Sequence, residues 1–288
     1  MGRGSNGRRS TVPVGLAEAS SSWRDGVRII GRGLIASSLR RYESLHPDTI
    51  AFATGVSDSS CVVATEYDRE TSMLLDVLDE ASRDDLRVVY FSGGGAIYGW
   101  GPEPVGEAGA LRPTTAYGRH QIAAEAIVAS TPGRHVIVRV PNVIGPTGHQ
   151  HQLIPALVRQ VVDGRVTVFR GAARDLIDVD DMAAVLMELL DCVKEPVTVN
   201  LATGWSIPVE EIVAELCSVL ELDPIVSRVA TGTVQAFATK RLAALIGRVP
   251  FEDRNAYRRT LARHAPSLAE AHGAAHRAAV PAGGAEDA

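Results

Sequence analysis

Cysteine is scarce: Cys61, Cys192 and Cys217 are the three in 288 residues, odd in number and far apart. That excludes a disulfide framework and the paired spacing of a zinc site, and it fits small apolar side chains in a reducing compartment. Long apolar runs are also missing. No stretch approaches the roughly 18 uninterrupted apolar residues of a membrane-spanning helix, and the N-terminus is too polar for a signal peptide. An excess of one charge is absent too: 29 basic residues face 34 acidic ones, for a net charge of −5. A nucleic-acid binder would normally carry a basic domain or stripe. Lysine is nearly absent, with Lys194 and Lys240 the only two. What is present is ordinary, 45% apolar and 22% charged residues. This rules out wholesale disorder and supplies a core for one large α/β domain or two small ones, expected in the cytoplasm.

Residues 1–26 are rich in Gly, Ser and Arg and lack periodicity, which predicts a mobile tail; 266–288, rich in Ala, Gly and His, is expected to fray. Between them, apolar strand-like runs alternate with helical patterns. Strands are expected at 27–30, 49–54, 86–92 and 135–140, with helices at 34–42, 66–82 and 116–130. Continuous rather than alternating apolar strands point to a parallel sheet covered on both faces. After Pro141 the pattern changes: helices at 153–163, 180–190 and 209–220 surround short strands at 166–169 and 198–201. The predicted organisation is a Rossmann-like domain over 27–145, then remaining sheet elements and a small substrate lobe over 146–265.

Gly31-Arg32-Gly33-Leu34-Ile35-Ala36 is a G-x-G-x-x-A run between a strand and a helix. Glycines there let backbone N–H groups approach a pyrophosphate at a helix N-terminus. The acidic residue that would hold a ribose 2′-hydroxyl at the end of the next strand is missing, since TIAFAT ends in Thr54 and Gly55. Arg32 would meet either a 2′-phosphate, favouring NADP over NAD, or only solvent.

Several segments together resemble the extended short-chain dehydrogenase/reductase family, the NAD-dependent epimerase/dehydratase group that mostly modifies nucleotide-linked sugars. They are GRGLIASSL (31–39), VVYFSGGGAIYG (88–99), AYGRHQIAAE (116–125), VIVRVPNVIGP (136–146), RDLIDVDDMAAVL (174–186) and VNLATGWSIPVEEI (199–212). The resemblance covers about 27–250 and implies a nicotinamide cofactor, NAD or NADP, near Gly31, Arg32, Gly33, Leu34, Ile35, Thr54 and Gly55. Only residues 37–48 separate Ala36 from the next strand. TIAFAT therefore resembles the family's fourth strand, with the second and third missing; the other alignment makes it a true second strand.

The family's catalytic set is a Ser/Thr, a Tyr and a Lys. Tyr117 matches the tyrosine, Gln121 stands in place of the lysine, and Gly94, within Ser92-Gly93-Gly94-Gly95, stands in place of the Ser/Thr. Ser92, Tyr117 and Gln121 are the candidate catalytic residues. A tyrosine has a pKa near about 10, and a cation about 4 Å away favours its phenolate by roughly 1–3 units. Without the lysine, Tyr117 is a poor base and a usable proton donor. His120 and Glu103 are further acid–base candidates, each equally readable as a solvated residue.

By the same resemblance Gly94, Asn142 and Arg174 are expected on the substrate side, Arg174 at a diphosphate, where a planar guanidinium donates two hydrogen bonds. Asp178, Asp180 and Asp181 read as a strand end and helix start rather than a metal cluster. His149 and His151 read as a polar loop at the cleft mouth, and no metal is expected. Three functions remain open: a reductase or epimerase/dehydratase-like enzyme, a non-redox lyase, isomerase or cyclase, and a silent ligand-binding homologue. Arginine over lysine with abundant alanine fits a GC-rich genome and the small reductases of secondary metabolism. A homodimer is expected through the helices at 116–130 and 66–82.

Overall fold

The structure, a computed structural model, describes residues 26–279; the first 25 residues and 280–288, where mobile tails are expected, lie outside them. β1 (Arg28–Ile30), β2 (Thr49–Phe52), β3 (Arg87–Gly93), β4 (His135–Val140) and β8 (Val197–Asn200) form one sheet in the order β1-β2-β3-β4-β8, every pair parallel. Parallel neighbours need helical crossovers, and these cover both faces. α1 (Leu34–Leu39) and α6 (Val179–Cys192) pack on one face, with Leu39, Val89, Val138, Met182 and Leu186 in the core between. α2 (Ala64–Arg83) and α4 (Ala116–Ser130) pack on the other, over Ile50, Phe52, Tyr90 and Ile137. The continuous β2 run TIAF is buried at all four positions, as its lack of alternation requires.

The strand order decides the alignment of TIAFAT. In a doubly wound sheet ordered 3-2-1-4-5-6, the first strand has neighbours on both sides. Here β1 pairs with β2 alone among the described residues, and β3 pairs with the far side of β2. β2 therefore occupies the fourth-strand position. Were β2 and β3 the second and third strands, β4 would lie at the free side of β1, whereas β4 pairs with β3 and β8 with β4.

The rest of the chain builds a lobe at the C-terminal end of the sheet. β5 (Asn142–Ile144), β7 (Ala173–Asp178) and β9 (Ser206–Pro208) make a three-stranded sheet, and β6 (Arg165–Arg170) pairs with β10 (Ile225–Thr231). α5 (Leu153–Val162), α7 (Val209–Leu220) and α9 (Ala256–Ala279) enclose a second core around Leu157, Ile212, Leu216 and Leu261. The short α3 (Gly94–Tyr98) and α8 (Lys240–Ile246) complete the chain. The fraying expected from 266 is corrected: α9 continues through Pro266, and Leu268 is buried. Leu261, Ala265 and Leu268 recur at helical spacing toward the lobe core, and that stripe overrides the Ala- and Gly-rich composition. His264 and Arg263 both contact the Asp178 carboxylate at 3.1 Å and tie α9 to the start of α6.

Candidate active site

Three consecutive glycines end β3 and open α3, and each has another side chain resting where its own would stand. A Cβ on Gly93 would lie 2.8 Å from the Tyr117 hydroxyl oxygen. One on Gly94 would lie 2.5 Å from the Phe237 ring, and one on Gly95 1.7 Å from Gln235 Nε2. The missing Ser/Thr is thus a packing fact as well as a sequence one, because Phe237 fills the space a side chain at 94 would need.

Tyr117 stands in the first turn of α4, whose start is capped by Thr115 Oγ1 accepting from the Gly118 N–H at 3.0 Å. Its ring is half-buried and its hydroxyl makes no hydrogen bond with the described residues. Burial pushes its pKa up, and the charge of Glu70 adds to that. Burial and Glu70 likewise hold Tyr90 well above the ordinary tyrosine value. Gln121 does not face the cleft. It is buried, and its Oε1 accepts from the Gly93 N–H at 3.0 Å and the Tyr90 hydroxyl at 3.4 Å, joining α4 to the end of β3. Ser92 is wholly buried under the same helix with its hydroxyl unpartnered. Of the three candidate catalytic residues, Tyr117 has its hydroxyl where a Gly93 side chain would stand, while the Ser92 hydroxyl is sealed in the core.

Glu70, unnoticed in the sequence, is the carboxylate whose charge acts on this tyrosine. Its carboxylate is buried, accepts from the Val56 N–H at 2.7 Å, sits 3.3 Å from His120 Nε2, and rests against the Cα of Gly55. His120 stacks on Tyr67 with ring centroids 4.6 Å apart. Glu70 lies four residues before Leu74 on the buried stripe of α2, so a carboxylate in an apolar phase was the available signal.

The glycine turn retains its geometry. Gly31 has φ +139°, and a Cβ there would come 2.2 Å from the Ala53 carbonyl, so only glycine fits. Gly33 has open space above it and Arg32 is exposed. Leu34 and Ile35 pack their side chains against the sheet core. Thr54 and Gly55 continue from β2, where Glu70 takes up the next backbone N–H. A dinucleotide's pyrophosphate fits this turn. No described strand lies beyond β1, where the adenosine side would be cradled.

Beyond the glycines, a cleft of about 360 Å³ is lined by Gly95, Trp100, Glu103, Arg112, Gln235 and Phe237 among others. Arg174 is engaged within the protein: it donates to the Thr233 carbonyl, to Thr233 Oγ1 at 3.1 Å, and lies 4.7 Å over the Trp100 ring. Asn142 donates to the Asp175 carbonyl at 3.0 Å and to Gln235 Oε1 at 2.8 Å. Asp175, wholly buried, is pushed up to about 6 by burial, against hydrogen bonds from Thr203 and Gly204. His149 and His151 stack on each other, and His151 reaches the Ser57 carbonyl at 3.1 Å, bridging two loops. Asp178 ends β7 and caps α6, accepting from the Asp180 N–H at 2.9 Å. No group of three metal-ligating side chains occurs among the described residues.

With this geometry in place, the match to a family model is decisive: residues 16–202 match the one for the NAD dependent epimerase/dehydratase family. The chain belongs to the NAD dependent epimerase/dehydratase family. Solved structures agree at the level of fold. RMD from Pseudomonas aeruginosa, complexed with NADPH, superposes with a TM-score of 0.72 at 18% identity, over 86% of this chain and 99% of that one. UDP-glucose 4-epimerase from Thermus thermophilus, in complex with NAD, gives 0.65 at 20% identity over 85% and 83%. UDP-N-acetylglucosamine 4-epimerase from Methanobrevibacter ruminantium M1 gives 0.67 at 17% over 78% and 77%. No curated protein sequence matches. Against the catalytic set expected of the epimerase/dehydratase family, this member keeps the tyrosine, has neutral Gln121 in place of the cation, and adds the charge of Glu70 from another helix. No helix among the described residues is long and apolar enough to cross a membrane.

Proposed function

We propose that this chain is an NAD(P)-dependent reductase or epimerase/dehydratase-like enzyme acting on a nucleotide-activated sugar or a related carbonyl metabolite, with Tyr117 as proton donor. The observation that carries the reading is the Tyr117 hydroxyl beside Gly93 at the C-terminal end of β3, kept protonated by burial and by Glu70. A phenol in that state gives a proton to an oxygen gaining charge and does not readily take one from a hydroxyl. Gly31 and Gly33 would hold the cofactor's pyrophosphate, with Arg32 at the rim, and a bound nicotinamide would supply or accept hydride. The structures of fold neighbours with NADPH and NAD support this choice. Gln121 keeps the end of β3 and the tyrosine's helix in register, a positioning role.

A second reading, a non-redox lyase, isomerase or cyclase on the same scaffold, is favoured by the edge of β1 that pairs with no strand among the described residues and by the charge of Glu70 on the tyrosine. Titration with NADPH and NADH separates the two: micromolar binding of either supports the redox reading, and no binding up to millimolar concentration leaves the non-redox one. Tyr117→Phe is expected to lower kcat by about 10²–10⁴-fold with folding intact; full activity in that variant removes the proton-donor role. A homodimer is proposed through α2 and α4, whose outer faces carry exposed Met73, Leu75, Ala123 and Ala126, and light scattering of the purified protein reads the mass.

A further inference from the structure

Gln235 is only 7% exposed, yet it lines the cleft beyond the glycines. Its backbone is fixed at both ends: the N–H donates to the Ala173 carbonyl at 3.0 Å and the carbonyl accepts from Ser206 Oγ at 2.6 Å. Its side-chain orientation is fixed as well. Asn142 Nδ2 donates to the Asp175 carbonyl, an acceptor only, so the Asn142 amide points its NH₂ inward. That same NH₂ donates to Gln235 at 2.8 Å, so the atom it meets is Oε1 and the opposite end of the amide is Nε2. Nε2 lies over Gly95, 1.7 Å from the place a Cβ would take, so only glycine at 95 admits it. It has no hydrogen-bond partner among the described residues. An NH₂ held in one orientation at the cleft wall, with its own amide oxygen committed to Asn142, offers its donors to an acceptor that enters the cleft.

We propose that Gln235 positions the substrate: Nε2 donates to an acceptor oxygen, hydroxyl or carbonyl, on the sugar portion of a nucleotide-linked ligand in this cleft. The assignment rests on the nucleotide-sugar reading above. It gives Asn142 a role other than the direct contact expected from sequence, since Asn142 touches Gln235 and aims it. It also places a hydrogen-bond donor beside the glycines, where residue 94 contributes no hydroxyl. A site built to hydrogen-bond a ligand oxygen rejects ligands lacking that oxygen more strongly than an apolar wall rejects an added group.

Gln235→Glu tests this, because it keeps the shape and the acceptor facing Asn142 while removing the donor end. Wild type and variant are titrated calorimetrically with UDP-glucose, UDP-N-acetylglucosamine and GDP-mannose, and with UDP and GDP alone, with melting temperatures measured alongside. The expected result is a wild type that prefers one nucleotide sugar to its bare nucleotide. In the variant, affinity for that sugar falls tenfold or more while bare-nucleotide affinity and melting temperature stay put. A variant that binds the sugar as wild type does, or loses sugar and bare nucleotide equally, overturns the role of Gln235 and leaves the nucleotide-sugar reading standing. A wild type that binds none of the three sugars overturns that reading and this assignment with it. If the buried glutamate prevents folding, Gln235→Met gives the same comparison.

Discussion

Around Tyr117, single atoms set the chemistry. A lysine four residues on would sit one helical turn away and stabilise a phenolate. Gln121 there carries no charge and is committed to the Gly93 N–H, and the charge that does reach the tyrosine comes from Glu70 on a different helix. Burial first and the Glu70 carboxylate second keep the phenol protonated, so at neutral pH it is present as a donor and not as a base. The departure at Gly94 is equally constrained. Restoring the hydroxyl by Gly94→Ser places a Cβ 2.5 Å from the Phe237 ring. The expected outcome is a loss of about 1–3 kcal/mol of stability, read by denaturant unfolding, with no gain in activity. An unchanged midpoint shows that Phe237 yields freely. These constraints were half legible in the sequence. The substitutions at 94 and 121 could be read directly, whereas Gln235 and Phe237 come from a loop about 140 residues away whose approach only the fold reveals.

Among the elements, α4 matters most, since it carries the tyrosine. Arg139 on β4 holds it through a bidentate contact with Glu125, Nη2 to Oε2 at 2.6 Å, and Arg139 Nη1 continues to the Tyr98 hydroxyl at 2.8 Å. Both charged side chains are buried, so removing one leaves the other uncompensated. Glu125→Ala is expected to cost about 3–5 kcal/mol, measured by urea unfolding, and a loss below about 1 kcal/mol would show the pair to be dispensable. The helices and central strands were readable because their patterns are long: α4, β4 and α7 run as the apolar spacing predicts. β5 and β9, three residues each, and β10, mostly exposed, carry too little pattern to read. The composition after Pro266 hides the end of α9, although its apolar stripe continues beyond the proline.

For the molecule as a whole, the sheet and lobe meet at the cleft, and Asp175 lies at that junction. Its carboxyl accepts from the Thr203 hydroxyl at 2.7 Å and the Gly204 N–H at 2.7 Å, binding β7 to the loop before β9. Burial raises its pKa from 3.8 to about 6. The folded state then holds a proton that the unfolded chain has released, so Asp175 costs stability as pH rises from about 4 to about 6 and adds no further change above that. Relative to Asp175→Asn, wild type is expected to lose up to about 3 kcal/mol across that window, followed by thermal unfolding at each pH. A difference that stays flat, or rises, contradicts a raised pKa. Among the described residues β1 is an edge strand, the other feature at this scale, and twelve residues of connection, 37–48, were enough to expose it in the sequence.

The proposed chemistry rests most directly on the protonation of one phenol. Tyrosine labelled with ¹³C at Cζ, assigned by comparison with Tyr117→Phe and titrated by NMR, reports it. The resonance of Tyr117 is predicted to stay at its protonated position through about pH 10, the ordinary midpoint of the residue. Ionisation with a midpoint at or below about pH 8 would show that something supplies the missing positive charge, and would contradict the assignment of Tyr117 as a proton donor.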